Sequence, residues 1–157
     1  MAFPFIKTKY IDTGRVRWVY RHYAFLRRSE FVAQASECAD DQDMFWEYHD
    51  ALFESIGPLP FSDESLKAIA ADLELSESTF DSCLDDGDRA DRVQADFESC
   101  VALGVMGTPT FYVLNGVSEP AYLGFRSGAE FEDILDVAFG ELAGEPEIDD
   151  IGFGQVP

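Results

Sequence analysis

The chain has 157 residues, which is long enough for one domain with a hydrophobic core. Hydrophobic residues make up 46% of it and aromatic residues 14%, which argues against a disordered chain. A formal net charge of −20 disfavours nucleic acid and anionic membranes as partners, and no run of residues approaches the ~20 apolar residues of a membrane span.

The first predicted elements are the end of a helix and a strand. The sequence "MAFPFIKTKY" is typical of the last turns of a helix, with lysines near its end. The turn signal "YIDTG" follows it, and basic and apolar residues then alternate over Arg15–Tyr23. This alternation predicts a strand, and Trp18 is expected to lie in the core.

The next elements, from Ser29 to Gly104, are predicted to be helices throughout. Ser29 is expected to cap a helix that runs to about Cys38, and Asp43 a helix that ends at Gly57-Pro58. Both Phe45 and Trp46 are expected in the core. The buried face of this second helix is predicted to contain Phe45, Tyr48 or His49, Leu52, Phe53 and Ile56.

Three further helices complete this helical segment. Ser62, Ser76 and Asp88 are expected to begin them, and Gly104 to end the last one. Their inward residues are predicted to be Leu66, Ile69, Ala70 and Leu73 in the first, Phe80, Cys83 and Leu84 in the second, and Val93, Phe97, Cys100 and Val101 in the third.

The last predicted elements are a hairpin and a helix. The strand "TFYVL" is followed by the turn residues Asn115-Gly116 and by a second strand over about Ala121–Phe125. Pro109 stands just before the first strand, where its missing N–H is tolerated. Ser127 is expected to cap the last helix, whose inward residues are predicted to be Phe131, Ile134, Leu135, Ala138 and Phe139. The order of elements indicates an α/β fold with an all-helical insertion.

The three cysteines, Cys38, Cys83 and Cys100, are too few for a disulfide scaffold. No two of them have the Cys-x-x-Cys spacing of a redox pair or a zinc knuckle. The two histidines, His22 and His49, form no ligand spacing with a cysteine. We therefore predict no metal and no cofactor.

Four stretches in this order resemble the DsbA-like branch of the thioredoxin superfamily, which are thiol-disulfide oxidoreductases. They are "YIDTGRVRWVYR", "ASECADDQDMFWEYHDALF", "FDSCLDDGDRADRVQADFESCVALGVMGTPTFYVLNG" and "AEFEDILDVAF". The resemblance implies a thioredoxin-like fold in a single domain over residues 1–143, with a helical insertion over about 29–87. Residues 144–157 are expected to form an acidic, flexible tail.

The resemblance also implies a substrate site. Thr108-Pro109 matches the loop in which a cis-proline and the residue before it bind the backbone of the substrate. The family's catalytic Cys-x-x-Cys has no counterpart, since the first strand and most of the first helix are missing by this alignment. We therefore expect the chain as written to be redox-inactive and to belong to a longer protein.

Two alternatives remain open: a noncatalytic module that binds peptides, and a subunit of an oligomer whose sheet is completed by a strand of another chain. The expected partners are proteins or peptides with thiols or disulfides, and neither nucleic acid nor a membrane. The location is expected to be extracytoplasmic by resemblance, but cytoplasmic if the chain is complete as written.

The remaining candidate residues have the following expected roles. The resemblance suggests a structural disulfide between Cys38 and Cys83, against the alternative of two small buried residues. Cys100 is expected to be a buried free thiol, since a position near the end of a helix disfavours a thiolate. His49 lies between Glu47 and Asp50 and is expected to be a boundary residue of the insertion, beside a solvated helix face and without an acid–base role.

Overall fold

The computed structural model describes residues 2–55, 61–118 and 120–143. These residues fall into two compact units. One contains the described residues of Met1–Val19 and Gly107–Pro157, and the other, the helical unit, contains those of Tyr20–Met106. The expected tail over 144–157 and the expected core residue Ile56 lie outside the described residues.

Seven α-helices and one hairpin make up the described part of the chain. The first of these helices continues directly into a π-helical turn over Lys7–Ile11. The elements are α1 (Ala2–Ile6), α2 (Ser29–Asp40), α3 (Phe45–Glu54), α4 (Asp63–Asp72), α5 (Glu77–Asp86), α6 (Ala90–Ala102), β1 (Thr110–Tyr112), β2 (Ala121–Leu123) and α7 (Gly128–Ala143).

The helical unit is built from five amphipathic helices around one core. The centre of this core is formed by side chains that are fully shielded from solvent, among them Tyr48, Leu66 and Phe80. The phenolic O–H of Tyr48 donates a hydrogen bond to the Leu66 carbonyl (2.9 Å), so its polar end is satisfied inside the core. The predicted inward residues Phe80, Cys83 and Leu84 of α5 are all buried.

Two predicted helix faces differ from the structure at one position each. Phe53 in α3 and Val101 in α6 were expected inside, but they are 59% and 52% exposed. Each helix already buries a narrower stripe, Tyr48 and Leu52 in α3 and Val93 and Cys100 in α6. A surface helix needs only such a stripe to pack, so further apolar residues beside it stay at the surface.

The predicted helix start at Asp43 is wrong, because Asp43 ends α2 instead. Its φ is +59°, its N–H donates to the Asp40 carbonyl (2.9 Å) and the next N–H, of Met44, donates to the Ala39 carbonyl (3.0 Å). This pair of bonds is a Schellman motif, which satisfies the last carbonyls of a helix. Helix α3 therefore takes Met44 as its N-cap.

Two other predicted caps are displaced by one residue each. Ser29 is the first residue of α2 rather than its cap, and its hydroxyl binds the backbone N–H and C=O of Leu26 in the preceding turn. Helix α6 takes Arg89 as N-cap instead of Asp88. The cap at Ser62 is confirmed, since its hydroxyl accepts from the Ser65 N–H and the Ser65 hydroxyl accepts from the Ser62 N–H.

The predicted strand over Arg15–Tyr23 is wrong. The described part of the chain contains one sheet, and it consists of β1 and β2 alone. Within the segment, the Val16 N–H is accepted by the Tyr10 carbonyl (3.1 Å) and the His22 N–H by an Asp96 carboxylate oxygen (3.0 Å). Alternation of apolar and basic residues gives the segment two faces, but a strand also needs a neighbouring backbone.

The other unit combines the hairpin with α1 and α7. Strands β1 and β2 are antiparallel, with Phe111 opposite Tyr122. Between them, the Asn115 side-chain oxygen accepts the N–H groups of Val117 (2.9 Å) and Ser118 (2.7 Å), and its side-chain amide donates to the Ala138 carbonyl of α7 (3.1 Å). The predicted turn at Asn115-Gly116 is thus held by the asparagine itself.

Helix α7 begins at the predicted cap. The Ser127 hydroxyl accepts from the Glu130 N–H, while the Glu130 carboxylate accepts from the Ser127 N–H (2.7 Å) and hydroxyl (2.8 Å). This reciprocal arrangement is a capping box. The helix packs through Phe131 and Leu135 against Ile6 and Tyr10, which form the core of this unit.

Candidate functional site

The loop before β1 carries the two residues that the resemblance assigned to substrate binding. The Thr108–Pro109 peptide bond is cis, and both residues are exposed. Two hydrogen bonds flank the bond: the Gly124 N–H donates to the Pro109 carbonyl (2.8 Å), and the Thr110 hydroxyl donates to the Gly107 carbonyl (2.7 Å). The loop is therefore held at both ends by its own unit.

The backbone of Thr108 is different from that of its neighbours. Within the described residues, neither its N–H nor its C=O has a hydrogen-bond partner. Because Thr108 is exposed, water satisfies these groups in the free protein. An extended polypeptide that approaches this loop would find one donor and one acceptor in fixed positions, as on the edge of a sheet.

An apolar cleft lies in the same unit as the loop. It has a volume of about 170 Å³, and its walls include Trp18, Phe111, Phe125 and Phe131. Phe111 stands two residues after Pro109, and its ring contacts those of Trp18 (centroids 6.0 Å apart) and Phe131 (4.7 Å). The cleft can take an apolar side chain, since aromatic rings dominate its walls.

Cys100 belongs to the helical unit, whereas Thr108 and Pro109 belong to the other unit. Its thiol is free and buried, with the sulfur 4.0 Å from the His22 carbonyl oxygen. Burial, with a smaller effect of the Asp96 charge, raises the pKa of Cys100 above its ordinary value. The thiol is therefore protonated near neutral pH and is a poor nucleophile.

Cys38 and Cys83, which the resemblance suggested as a pair, are joined by a disulfide bond in the structure. Their Cα atoms are 5.9 Å apart, and the bond connects α2 to α5 within the helical unit. Both residues are buried in the core of that unit. The bond is thus placed to support the helices rather than to exchange with an external thiol.

The structure also brings together three residues that sequence reasoning did not connect: His22, Glu37 and Asp96. Their ligand atoms lie within 4.8 Å of one another. The His22 Nε2 is 2.9 Å from a Glu37 carboxylate oxygen, and both side chains are buried. The cluster could not be predicted from the sequence, because its three residues lie far apart in the chain and no motif connects them.

Two arginines neutralise this cluster. The Arg92 Nε is 2.6 Å from the second Glu37 oxygen, and an Arg21 nitrogen is 3.3 Å from Asp96. Imidazole and carboxylate groups are donors that a divalent metal accepts. Here, however, guanidinium groups already pair with both carboxylates, so the cluster is an ion-pair network that ties the segment around His22 to α2 and α6.

His49 lies at the boundary of the helical unit, as expected, but its neighbours are aromatic. It is partly buried among aromatic rings, with centroids 5.2 Å from Tyr20, 5.6 Å from Trp46 and 4.7 Å from Phe53. Its Nδ1 is 3.0 Å from an Asp50 carboxylate oxygen. Trp46 was expected in the core, but it is 36% exposed and lies at the surface beside His49.

No helix among the described residues has the length and apolar character needed to cross a membrane.

Comparison with known proteins identifies the family. A family model described as thioredoxin matches residues 2–121. Among solved structures, Wolbachia pipientis alpha-DsbA1 is similar, with a TM-score of 0.76 and 28% sequence identity. That match covers 90% of this chain and 77% of the Wolbachia chain.

Two kinds of curated relatives match the sequence. The chain is 34% identical over 115 residues to the Na(+)/H(+) antiporter NhaA 1 of Salinispora arenicola, which covers 71% of this chain and 17% of the antiporter. It is 27% identical over 159 residues to disulfide bond formation protein D of Bacillus subtilis, which covers 91% of this chain and 64% of that protein. The chain thus spans less than two thirds of the length of these relatives. By its family model the chain belongs to the thioredoxin family, and its structure is similar to that of DsbA.

Proposed function

We propose that this domain binds protein substrates for thiol–disulfide exchange, and that Thr108 and Pro109 provide the backbone surface that holds the substrate. The observation that carries the proposal is the backbone of Thr108. Its N–H and C=O lack partners among the described residues, on a loop that is itself held by hydrogen bonds. An extended substrate can pair with both groups as a strand pairs with a sheet edge.

The apolar cleft supports the same assignment. Unfolded substrate proteins expose apolar side chains, and a cleft of about 170 Å³ lined by aromatic rings suits one such side chain. The backbone contact then supplies affinity without regard to sequence, while the cleft selects for an apolar residue nearby. A substrate of this kind is a reduced or incorrectly oxidised polypeptide.

The exchange itself requires a reactive thiolate. In each step a thiolate attacks one sulfur of a disulfide, a new S–S bond forms, the old S–S bond breaks, and the other sulfur leaves as a thiolate. The 157 residues contain no Cys-x-x-Cys pair, Cys38 and Cys83 are joined to each other, and Cys100 is buried. We therefore assign substrate binding to this chain, and catalysis only to a protein in which a dithiol accompanies it.

An extracytoplasmic location is part of the proposal. Relatives named disulfide bond formation protein support it, as does the Cys38–Cys83 bond, because disulfides persist in oxidising compartments. Alkylation of cell extracts under acid quench tests it: Cys38 and Cys83 should be found oxidised in the cell. If both are alkylated as free thiols, the location is wrong.

Nuclear magnetic resonance can test the binding role directly. A cysteine-containing peptide with apolar neighbours should shift the amide resonance of Thr108 in the ¹⁵N-labelled chain. A matched peptide with one N-methylated residue beside the cysteine loses the donor that pairs with the Thr108 C=O. It should bind about fivefold more weakly, the effect of one hydrogen bond. Equal binding of every N-methylated peptide, with no shift at Thr108, would contradict the proposal.

A second measurement separates binding from catalysis. The purified chain should not accelerate the reduction of a protein disulfide above the rate given by the same concentration of free thiol. The variant Cys100→Ser should behave identically, because burial keeps this thiol protonated. Catalysis that disappears in Cys100→Ser would overturn the assignment and make Cys100 the reactive group.

A further inference from the structure

Helix α3 carries a row of aromatic side chains at its surface. Trp46, His49 and Phe53 follow one another at intervals of three and four residues, which places them on one face of the helix. Phe53 is 59% exposed and Trp46 is 36% exposed. Together with Phe45 and Tyr20, which contact them, we call these residues the aromatic stripe.

The packing of α3 does not require this stripe. The helix is anchored by Tyr48 and Leu52, which are 0% and 7% exposed on its other face. Exposed Phe and Trp side chains contribute little to the core, yet they leave apolar surface in contact with water. A group of such side chains on one helix face is therefore typical of a surface that binds something.

The rings of the stripe form one continuous surface. Neighbouring ring centroids are 5.4 Å apart for Tyr20 and Phe45, 5.1 Å for Phe45 and Trp46, 5.6 Å for Trp46 and His49, and 4.7 Å for His49 and Phe53. Two of these four pairs are tilted and two are edge-to-face, and the edge-to-face arrangement is one that aromatic rings favour. Because each ring packs against the next, the side chains of the stripe are preorganised in the free protein.

Acidic side chains flank the stripe. Glu47, Asp50 and Glu54 are exposed on the same helix at intervals of three and four residues, and α3 has no lysine or arginine. Among the described residues, Glu47 and Glu54 have no ion-pair partner. Asp50 contacts the Nδ1 of His49. The stripe therefore lies beside a row of carboxylates, two of which have no ion-pair partner in the described part of the chain.

We propose that the aromatic stripe is a docking surface for a polypeptide segment that combines basic with aromatic or aliphatic side chains. The rings take the apolar side chains by stacking and attract lysine or arginine through cation–π contacts. The three carboxylates pair with the same cations. An acidic segment is repelled by these carboxylates and by the net charge of −20. The interaction needs no thiol, so it is a property beyond disulfide exchange.

Three labelled peptides of equal length test the specificity of the surface. One carries lysine and phenylalanine, the second has its phenylalanines replaced by serine, and the third has its lysines replaced by glutamate. Fluorescence anisotropy should show binding of the first, at least about tenfold weaker binding of the second, and no detectable binding of the third. Equal affinities for the first and second peptides, or for the first and third, would overturn the proposal.

Matched variants locate the binding on the stripe. Phe53→Ala and Glu47→Lys should each weaken binding of the first peptide about fivefold or more, since each removes one of the two kinds of contact. The controls are Met106→Ala, which truncates an 85% exposed apolar residue of the same unit, and Asp91→Lys, which reverses an exposed charge on α6. The controls should change the affinity less than twofold.

Circular dichroism checks that each variant is folded, which is expected because all four side chains are exposed. If the controls weaken binding as much as the stripe variants do, the peptide binds elsewhere and the proposal is wrong. Analytical ultracentrifugation of the chain alone tests whether a second copy of the chain occupies the stripe instead. A concentration-dependent dimer that Phe53→Ala abolishes would mean that the stripe joins two copies of the chain, which also contradicts docking of a basic segment.

Discussion

The two units of the molecule are built on different principles. Among the described residues, the helical unit has a core of eleven buried residues, a disulfide between two of its helices and an ion-pair network around the buried Glu37. In the described part of the other unit, the core has four buried residues, around which half-buried aromatic side chains pack, and it borders an open cleft. The comparison indicates where stability is concentrated and where surface is left for binding.

Backbone hydrogen bonding explains much of this difference. Helices satisfy their N–H and C=O groups within the segment, and α2 and α6 even close their own ends, where Asp43 (φ +59°) and Gly104 (φ +77°) form the turn. Strands depend on a neighbour, and the described sheet has strands of three residues each. The helices of the helical unit therefore satisfy most of their own backbone N–H and C=O groups. In the other unit, which contains the hairpin, groups such as the N–H and C=O of Thr108 have no partner among the described residues.

The largest expected effect tests whether the core of the helical unit is packed more densely than the core of the other unit. Phe80 is fully buried in the helical unit, so Phe80→Ala should lower the free energy of unfolding by about 3–5 kcal/mol. Phe131→Ala in the other core should cost less, about 3 kcal/mol or below, because Phe131 already borders a cleft and leaves less new void. Denaturant unfolding followed by circular dichroism measures both. An equal or larger cost for Phe131→Ala would contradict the contrast between the two cores.

The next effect concerns the covalent support of the helical unit. The disulfide closes a loop with a sequence separation of 45 residues, so replacing both Cys38 and Cys83 by alanine should cost about 2–4 kcal/mol of unfolding free energy. The matched control is Cys100→Ala, which truncates a buried thiol of the same unit but breaks no bond. Thermal unfolding should show a clearly lower midpoint for the double variant. Equal midpoints would mean that the helical core does not depend on the bond.

The smallest effect belongs to the other unit and depends on pH. Hydrogen bonds from the backbone N–H and hydroxyl of Ser127 hold the pKa of Glu130 below its ordinary value of 4.5. A lowered folded-state pKa stabilises the protein above the unfolded-state value, and this stabilisation is lost as the pH falls through the folded-state value. The difference in melting temperature between the wild type and Glu130→Gln should therefore shrink on acidification from pH 7.

Asp136→Asn is the control for that experiment, because it removes an exposed carboxylate from the same helix away from the capping box. If the wild type and Glu130→Gln differ by the same amount at every pH, the capping box does not act through the charge of Glu130.

Sequence patterns predicted the helices well, because their signals are local. The caps at Ser62 and Ser127 and the buried stripe Phe80, Cys83 and Leu84 were confirmed. Errors arose where the same residue type is compatible with two positions, such as the start or the end of a helix, or the core or the surface. Asp43 was predicted to begin a helix but ends one, and Phe53 was predicted inside although Tyr48 and Leu52 already fill that role. The strand over Arg15–Tyr23 failed because pairing depends on a distant backbone, which alternation cannot supply.

The candidate site was only partly accessible from sequence. Thr108 and Pro109 were identified through the resemblance, but the unpaired backbone of Thr108 depends on the loop bonds to Gly124 and Gly107. The cluster of His22, Glu37 and Asp96 was missed, since its members are far apart in the chain and no motif connects them. The aromatic stripe was also missed, because Trp46 and Phe53 were taken for core residues.

The Asn115 side chain has a consequence for the chemical lifetime of the protein. An asparagine followed by glycine is a thermolabile site that can lose its amide nitrogen. The product is a carboxylate, which still accepts the N–H groups of Val117 and Ser118 but cannot donate to the Ala138 carbonyl. Deamidation of Asn115 would thus replace its hydrogen bond to the Ala138 carbonyl by a repulsion between the new carboxylate and that carbonyl oxygen.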